Sequence, residues 1–154
     1  MMRQVCLALM CGFLLVVPGL TLANEGGMTE GSALDPLAQP TDYEIGYDLL
    51  KAGRFLQAIE AFKKVIAADP THAMAYTNMA YSYRRMGQHE RAIKLYQRAL
   101  DLQPDLAEAH EYMGEALLTV GKVSEAKSHL AILEGLDAAL AEELRAKIAR
   151  HDSS

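Results

Sequence analysis

The chain has 154 residues, with 15 basic against 20 acidic side chains, a formal charge of −5, 51% apolar residues, 6% aromatic residues and no tryptophan. That is one domain's worth of polypeptide. The acidic balance excludes the concentrated basic face of a nucleic-acid binder, and the aromatic-poor composition suits helices packed through alanine and leucine better than a β sandwich.

Residues 1–23 read as an export signal. Arg3 is the one charge, an apolar run extends from Val5 to Val17, Pro18 and Gly19 break it, and Thr21-Leu22-Ala23 offers small residues before a cut ahead of Asn24. Left uncut, the run would be a membrane anchor, but its 13 residues fall short of the roughly 20 that a span needs. Both cysteines, Cys6 and Cys11, lie in this segment, and Val5 and Met10 before them rule out a lipoprotein-type box. The mature chain would then lack cysteine and carry 14 basic against 20 acidic residues, a charge of −6. The bacterial periplasm is the expected location, with eukaryotic secretion as the other reading. Residues 24–40, NEGGMTEGSALDPLAQP, have the glycine, proline and small polar content of a flexible linker.

Thr41 with Glu44 three residues on forms a capping-box pattern. It predicts the first of a series of helices near 42–52, 55–68, 73–86, 89–102, 107–120 and 123–134. Gly135-Leu136 predicts a stop, and Asp137 can cap a last helix to about Arg150. In that helix Leu140, Leu144 and Ile148 recur every fourth residue, which fits a capping helix with one wet side.

These elements repeat with a period of 34. Gly53, Gly87 and Gly121 share one phase, Pro70 and Pro104 another, Ala58, Ala92 and Ala126 a third, and Phe62, Tyr96 and Leu130 a fourth. Gly46, Ala80 and Gly114 share a small-residue phase, and the mid-helix glycines Gly46 and Gly114 predict a hairpin partner too close for a side chain. The middle unit, with Tyr76, Met79, Ala80, Tyr83, Ala92, Tyr96, Ala99 and Pro104, resembles the tetratricopeptide repeat. The first departs at Asp42, where an aromatic is usual, and the third at Ala138, where proline is usual. The resemblance spans about 41–138. It implies an all-α, right-handed solenoid of three helical hairpins (about 41–72, 73–106 and 107–136) closed by a capping helix at 137–150.

Catalytic patterns are absent. His72, His89, His110, His129 and His151 form no pair with a helper acid at metalloprotease spacing, and there is no phosphate-binding loop or nucleophile elbow. No cofactor or metal is called for, and an enzyme reading has no residues to rest on. The resemblance instead implies a concave groove lined by the first helix of each unit. It likewise implies a protein-interaction module that takes a peptide or partner helix. The groove phases hold Tyr43, Tyr47 and Lys51, then Thr77, Asn78, Tyr81, Arg84 and Arg85, then Glu108, Glu111, Tyr112 and Glu115. Family members that clamp a terminal carboxylate use five positions that map to Tyr43, Tyr47, Asn78, Glu108 and Tyr112, of which only Asn78 fits. The glutamates at 108, 111 and 115 make a carboxylate stripe, and Tyr43, Tyr47 and Tyr81 offer rings, so a basic and apolar segment is the expected ligand. Arg84 and Arg85 could pair with the stripe in the empty groove. Two other classes stay open: a self-assembling scaffold, and an accessory subunit of an envelope enzyme.

Overall fold

The structure is a computed structural model that describes residues 39–153. The export signal and all but the end of the linker therefore lie outside the described residues. Within them the chain forms seven helices and no strand: α1 (Asp42–Lys51), α2 (Phe55–Ala68), α3 (Ala73–Arg85), α4 (His89–Leu102), α5 (Ala107–Thr119), α6 (Val123–Leu136) and α7 (Ala138–Asp152). No described helix is long and apolar enough to cross a membrane.

Local chemistry sets the boundaries. The capping box is present: the Glu44 amide donates to Thr41 Oγ1 at 3.2 Å, and the Thr41 amide donates to Glu44 Oε2 at 2.7 Å. Each hairpin turns on a glycine of one phase, with φ of 73°, 77° and 78° at Gly53, Gly87 and Gly121. Behind each glycine the same six-residue bond closes, Arg54 N to Leu49 O, Gln88 N to Tyr83 O and Lys122 N to Leu117 O, all at 2.8–2.9 Å. This is the Schellman stop, and its left-handed residue disfavours any side chain. The predicted stop at Gly135 does not occur. Gly135 is not among the glycines with positive φ, and α6 runs through it to Leu136. Asp137 ends α6 and also begins α7, accepting from the amides of Ala139 (2.9 Å) and Leu140 (3.0 Å).

Each helix packs on its successor, and α1 also meets α3, α3 meets α5, and α5 meets α7. The odd-numbered helices therefore form one continuous layer. Ala58, Ala92 and Ala126 are fully buried, as are Phe62 and Tyr96. Filled with a Cβ, Gly46 would stand 2.8 Å from the Phe62 ring, as expected for a hairpin pair. Gly114 is different. Its Cβ would meet Leu144 of α7 at 2.6 Å, whereas its expected hairpin partner Leu130 is only half-buried. The capping helix, not α6, presses on Gly114. On the first hairpin, Ile45 and Leu56 are exposed.

Candidate functional site

The layer of odd-numbered helices carries the predicted groove residues, but Thr77 (0% exposed) and Asn78 (6%) are buried in it rather than lining a groove. Asn78 on α3 donates from Nδ2 to Tyr43 Oη on α1 at 3.0 Å, which uses the one clamp-like side chain internally. Tyr43 lies parallel to Tyr47, one helical turn on, with ring centroids 6.5 Å apart, and it also meets His72 at 5.0 Å and the edge of Phe62 at 5.9 Å. Burial raises the Tyr43 phenol above its ordinary value, with the Asn78 bond opposing. Tyr47 is exposed, and the Lys51 ammonium sits 4.8 Å from its ring centre. Lys51 is itself paired with Asp48 at 2.9 Å.

The second seam joins α3 to α5. The Tyr81 and Tyr112 rings are 5.2 Å apart. The Arg84 guanidinium lies 5.1 Å from the first ring and 5.5 Å from the second, and it is ion-paired with Glu115. Arg85 turns away from the glutamates. It donates to Tyr81 Oη at 2.7 Å and lies over the Phe55 ring. Of the two expected arginine pairings, the structure makes the Arg84 one.

The carboxylate stripe is not a free acidic surface. Lys147 of α7 donates from Nζ to both Glu111 and Glu115. Glu111 is buried, with 3% of its surface exposed, and Glu115 is half-buried; only Glu108 of the three is exposed. Burial pushes the Glu111 carboxyl above the usual range, with the Lys147 bond opposing. Burial acts to lower the Lys147 ammonium, but its bonds to the two glutamates outweigh it and hold it raised. Sequence reasoning missed Lys147 because α7 follows α6 after the single residue Asp137, whereas residues 69–72 and 103–106 lead into α3 and α5, so α7 falls off the 34-residue register. His72 was also missed; it caps α3, its Nδ1 accepting from the Ala75 amide at 3.2 Å.

Away from this wall, two histidines that spacing leaves unconnected come together. His110 Nδ1 and His129 Nδ1 are 2.8 Å apart, and His110 Nε2 is 2.9 Å from the Pro104 carbonyl. A carbonyl only accepts, so His110 carries its proton on Nε2, and His129 must donate from Nδ1. Burial, and then the neighbouring His110, lower the His129 imidazole to about 4. No group of three or more metal-ligating side chains occurs among the described residues.

The tetratricopeptide-repeat family matches residues 43–105 and 77–152, and the chain belongs to this family. It is 31% identical over 81 residues to the small glutamine-rich tetratricopeptide repeat-containing protein 2 of Mycosarcoma maydis, covering 53% of this chain and 23% of that protein. The chain thus spans less than a quarter of the length of the curated relatives it matches. Among solved structures, the first tetratricopeptide domain of Spaghetti (RPAP3), bound to the HSP90 peptide SRMEEVD, is 28% identical with a TM-score of 0.66, over 73% of this chain and 91% of that one. The type III secretion translocator chaperone SycD of Yersinia enterocolitica shares the fold at 19% identity, with a TM-score of 0.67 over 72% and 81%.

Proposed function

We propose that the protein is a non-enzymatic interaction module that holds a polypeptide segment of a partner against the wall formed by α1, α3 and α5. One observation carries this reading. Three successive helices present tyrosines to one surface, stitched together by the Asn78–Tyr43 bond and the Tyr81–Tyr112 contact. Rings that are partly exposed but held in place contribute contact area at small entropic cost. The similarity to a domain bound to an HSP90 peptide supports a peptide ligand. It does not bring the carboxylate clamp with it, because tyrosine and glutamate stand where the clamp needs cations. Candidate contact residues are Tyr43, Tyr47, Tyr81, Arg85 and Glu108, while Asn78, buried and bonded to Tyr43, and Glu111 and Glu115, beneath Lys147, hold the wall together. A basic ligand residue would find its exposed carboxylate at Glu108.

The leader-like composition of residues 1–23 supports export, with work in the periplasm on a partner of the cell envelope. Size comparison of the intracellular and exported chains checks this: a cleaved leader shortens the exported form, and an unshortened, intracellular chain refutes it. The binding reading is tested by selecting displayed peptides on the wild type and reassaying them on Tyr47→Ala, Tyr81→Ala. Loss of binding is expected, and retention rejects the wall as the site.

A further inference from the structure

Beside the wall, the turn of the first hairpin carries a second surface with its own chemistry. Gly53, Arg54, Phe55, Leu56 and Gln57, with Met86 from the end of α3, line a cleft of about 530 Å³. That is within the range of about 300–1,000 Å³ for sites that take a small molecule or a few side chains. The lining departs from the repeat. The phase of Leu56 holds Glu90 in the second unit and Ser124 in the third, both exposed. Leu56 is itself 67% exposed, and Phe55 and Met86 beside it are half-buried. A lone exposed leucine would need no explanation, but three apolar side chains gathered at one cleft do.

The charge around this cleft has one sign. α4 and α6 each carry a glutamate in the first turn, Glu90 and Glu125, which answers the positive end of the helix dipole. α2 carries none, and the side chain of its N-cap residue Arg54 does not cap it. Arg54 Nε instead donates to Gln57 Oε1. Arg85 Nη1 donates to Tyr81 Oη at 2.7 Å, and its guanidinium lies 5.2 Å from the Phe55 ring centre. These partners are neutral, and each guanidinium spends one of its five N–H groups on them. Among the described residues no carboxylate lines the cleft.

We propose that this cleft docks a partner polypeptide in which an apolar side chain lies next to a glutamate or aspartate. The apolar side chain packs on Phe55, Leu56 and Met86. The neighbouring carboxylate accepts from Arg54 and Arg85 and faces the N-terminus of α2, supplying the acid that α4 and α6 carry in their own sequence. A concave site receives a projecting side chain better than a flat bilayer does, and the net charge of −5 opposes approach to an anionic membrane. None of the positions equivalent to the terminal-carboxylate clamp lines the cleft, so a carboxylate within the segment serves. The proposal stands apart from the wall reading, with Arg85 the residue that touches both surfaces.

The test is fluorescence anisotropy on the full chain with labelled, C-terminally amidated peptides of equal length, in which leucine alternates with glutamate, glutamine or lysine. Vesicles of phosphatidylglycerol serve as a further probe, and wild type, Leu56→Glu, Arg54→Gln and Tyr47→Ala are compared. The leucine–glutamate peptide should bind best and weaken several-fold between about 50 and about 500 mM salt. Leu56→Glu should weaken it about tenfold and Arg54→Gln about threefold. Because Leu56 is exposed, Leu56→Glu should melt no earlier than wild type, so that the loss reads the cleft and not the fold. The inference fails if the glutamine or lysine peptide binds as well, if Leu56→Glu weakens binding by less than about threefold, or if no peptide binds saturably. Vesicle binding that needs Leu56, without peptide binding, makes the occupant a bilayer and also rejects it. A leucine–glutamate peptide lost in Tyr47→Ala but kept in Leu56→Glu rejects the cleft and leaves the wall reading standing.

Discussion

Gly46→Ala places one methyl group against the fully buried Phe62 and measures how close the first hairpin is. The new Cβ would stand 2.8, 3.0 and 3.1 Å from three atoms of the Phe62 ring. An aromatic ring cannot fold away from three contacts at once, and Phe62 has no exposed surface into which to swing. Overpacking of this kind costs about 1–3 kcal/mol. Alanine in place of a mid-helix glycine recovers about 1 kcal/mol. The net expectation is a loss of about 1 kcal/mol, with Gly46→Leu losing more. For a domain of this size, about 1 kcal/mol lowers the melting temperature by roughly 4–8 °C. Gly135→Ala supplies the control, since nothing lies within 4 Å of its Cβ and it is inside α6; it should gain about 0.5–1 kcal/mol. Scanning calorimetry of both variants reads the two signs together. Phe62→Leu in the Gly46→Ala background should show coupling, because the two changes share one contact. A Gly46→Ala protein that melts at or above the parent, with Gly135→Ala no better, would refute the close-packing argument.

Four further outcomes follow from named contacts. Gly114→Ala should be destabilised by about 1 kcal/mol through Leu144, and truncating the chain before Ala138 should abolish that effect in thermal melts. Lys147→Met leaves Glu111 buried without its ammonium and should cost about 1–3 kcal/mol in urea unfolding, of which Glu111→Gln in the same chain recovers part. Asp137→Ala removes the acceptor for two α7 amides and should cost about 1 kcal/mol by the same assay. His129 has a folded-state value of about 4 against an ordinary 6.5, so its contribution is complete above pH 6.5 and is lost as pH falls through about 4. Because the ring is partly exposed, solvent screening reduces this to about 1–2 kcal/mol. Glu111, with its raised value, works in the opposite direction, gaining stability as pH falls. The measurement is therefore the difference between wild type and His129→Gln across pH, in which the Glu111 contribution cancels; a pH-independent difference contradicts the histidine pairing.

The repeat architecture was legible because its signals are local and recur. A glycine at 53, 87 and 121 closes the same backbone bond three times, and the helix ends predicted around them fall within about two residues of those observed. The candidate wall was legible as a set of phases, since helices one period apart lie side by side and bring Tyr43, Asn78 and Tyr81 to one surface. What the phases could not carry is anything set by α7. That helix starts off register, so Lys147 over the glutamates and Leu144 over Gly114 have no sequence counterpart in earlier repeats. Gly135 misled for a physical reason as well. A glycine can end a helix only where the chain needs a left-handed residue, and Asp137 performs the stop and the restart two residues later without one. The His110–His129 pair depends on the rotation of α5 against α6, which hairpin spacing leaves open.

The central claim is that ligand polypeptide lies on the wall of odd-numbered helices. Amide NMR spectra recorded with a selected peptide test it directly. The account predicts shifts concentrated in Tyr43–Lys51, Asn78–Arg85 and Glu108–Tyr112, all absent in Tyr47→Ala, Tyr81→Ala. Shifts concentrated on α2, α4 and α6, with the tyrosine variant unaffected, would contradict it.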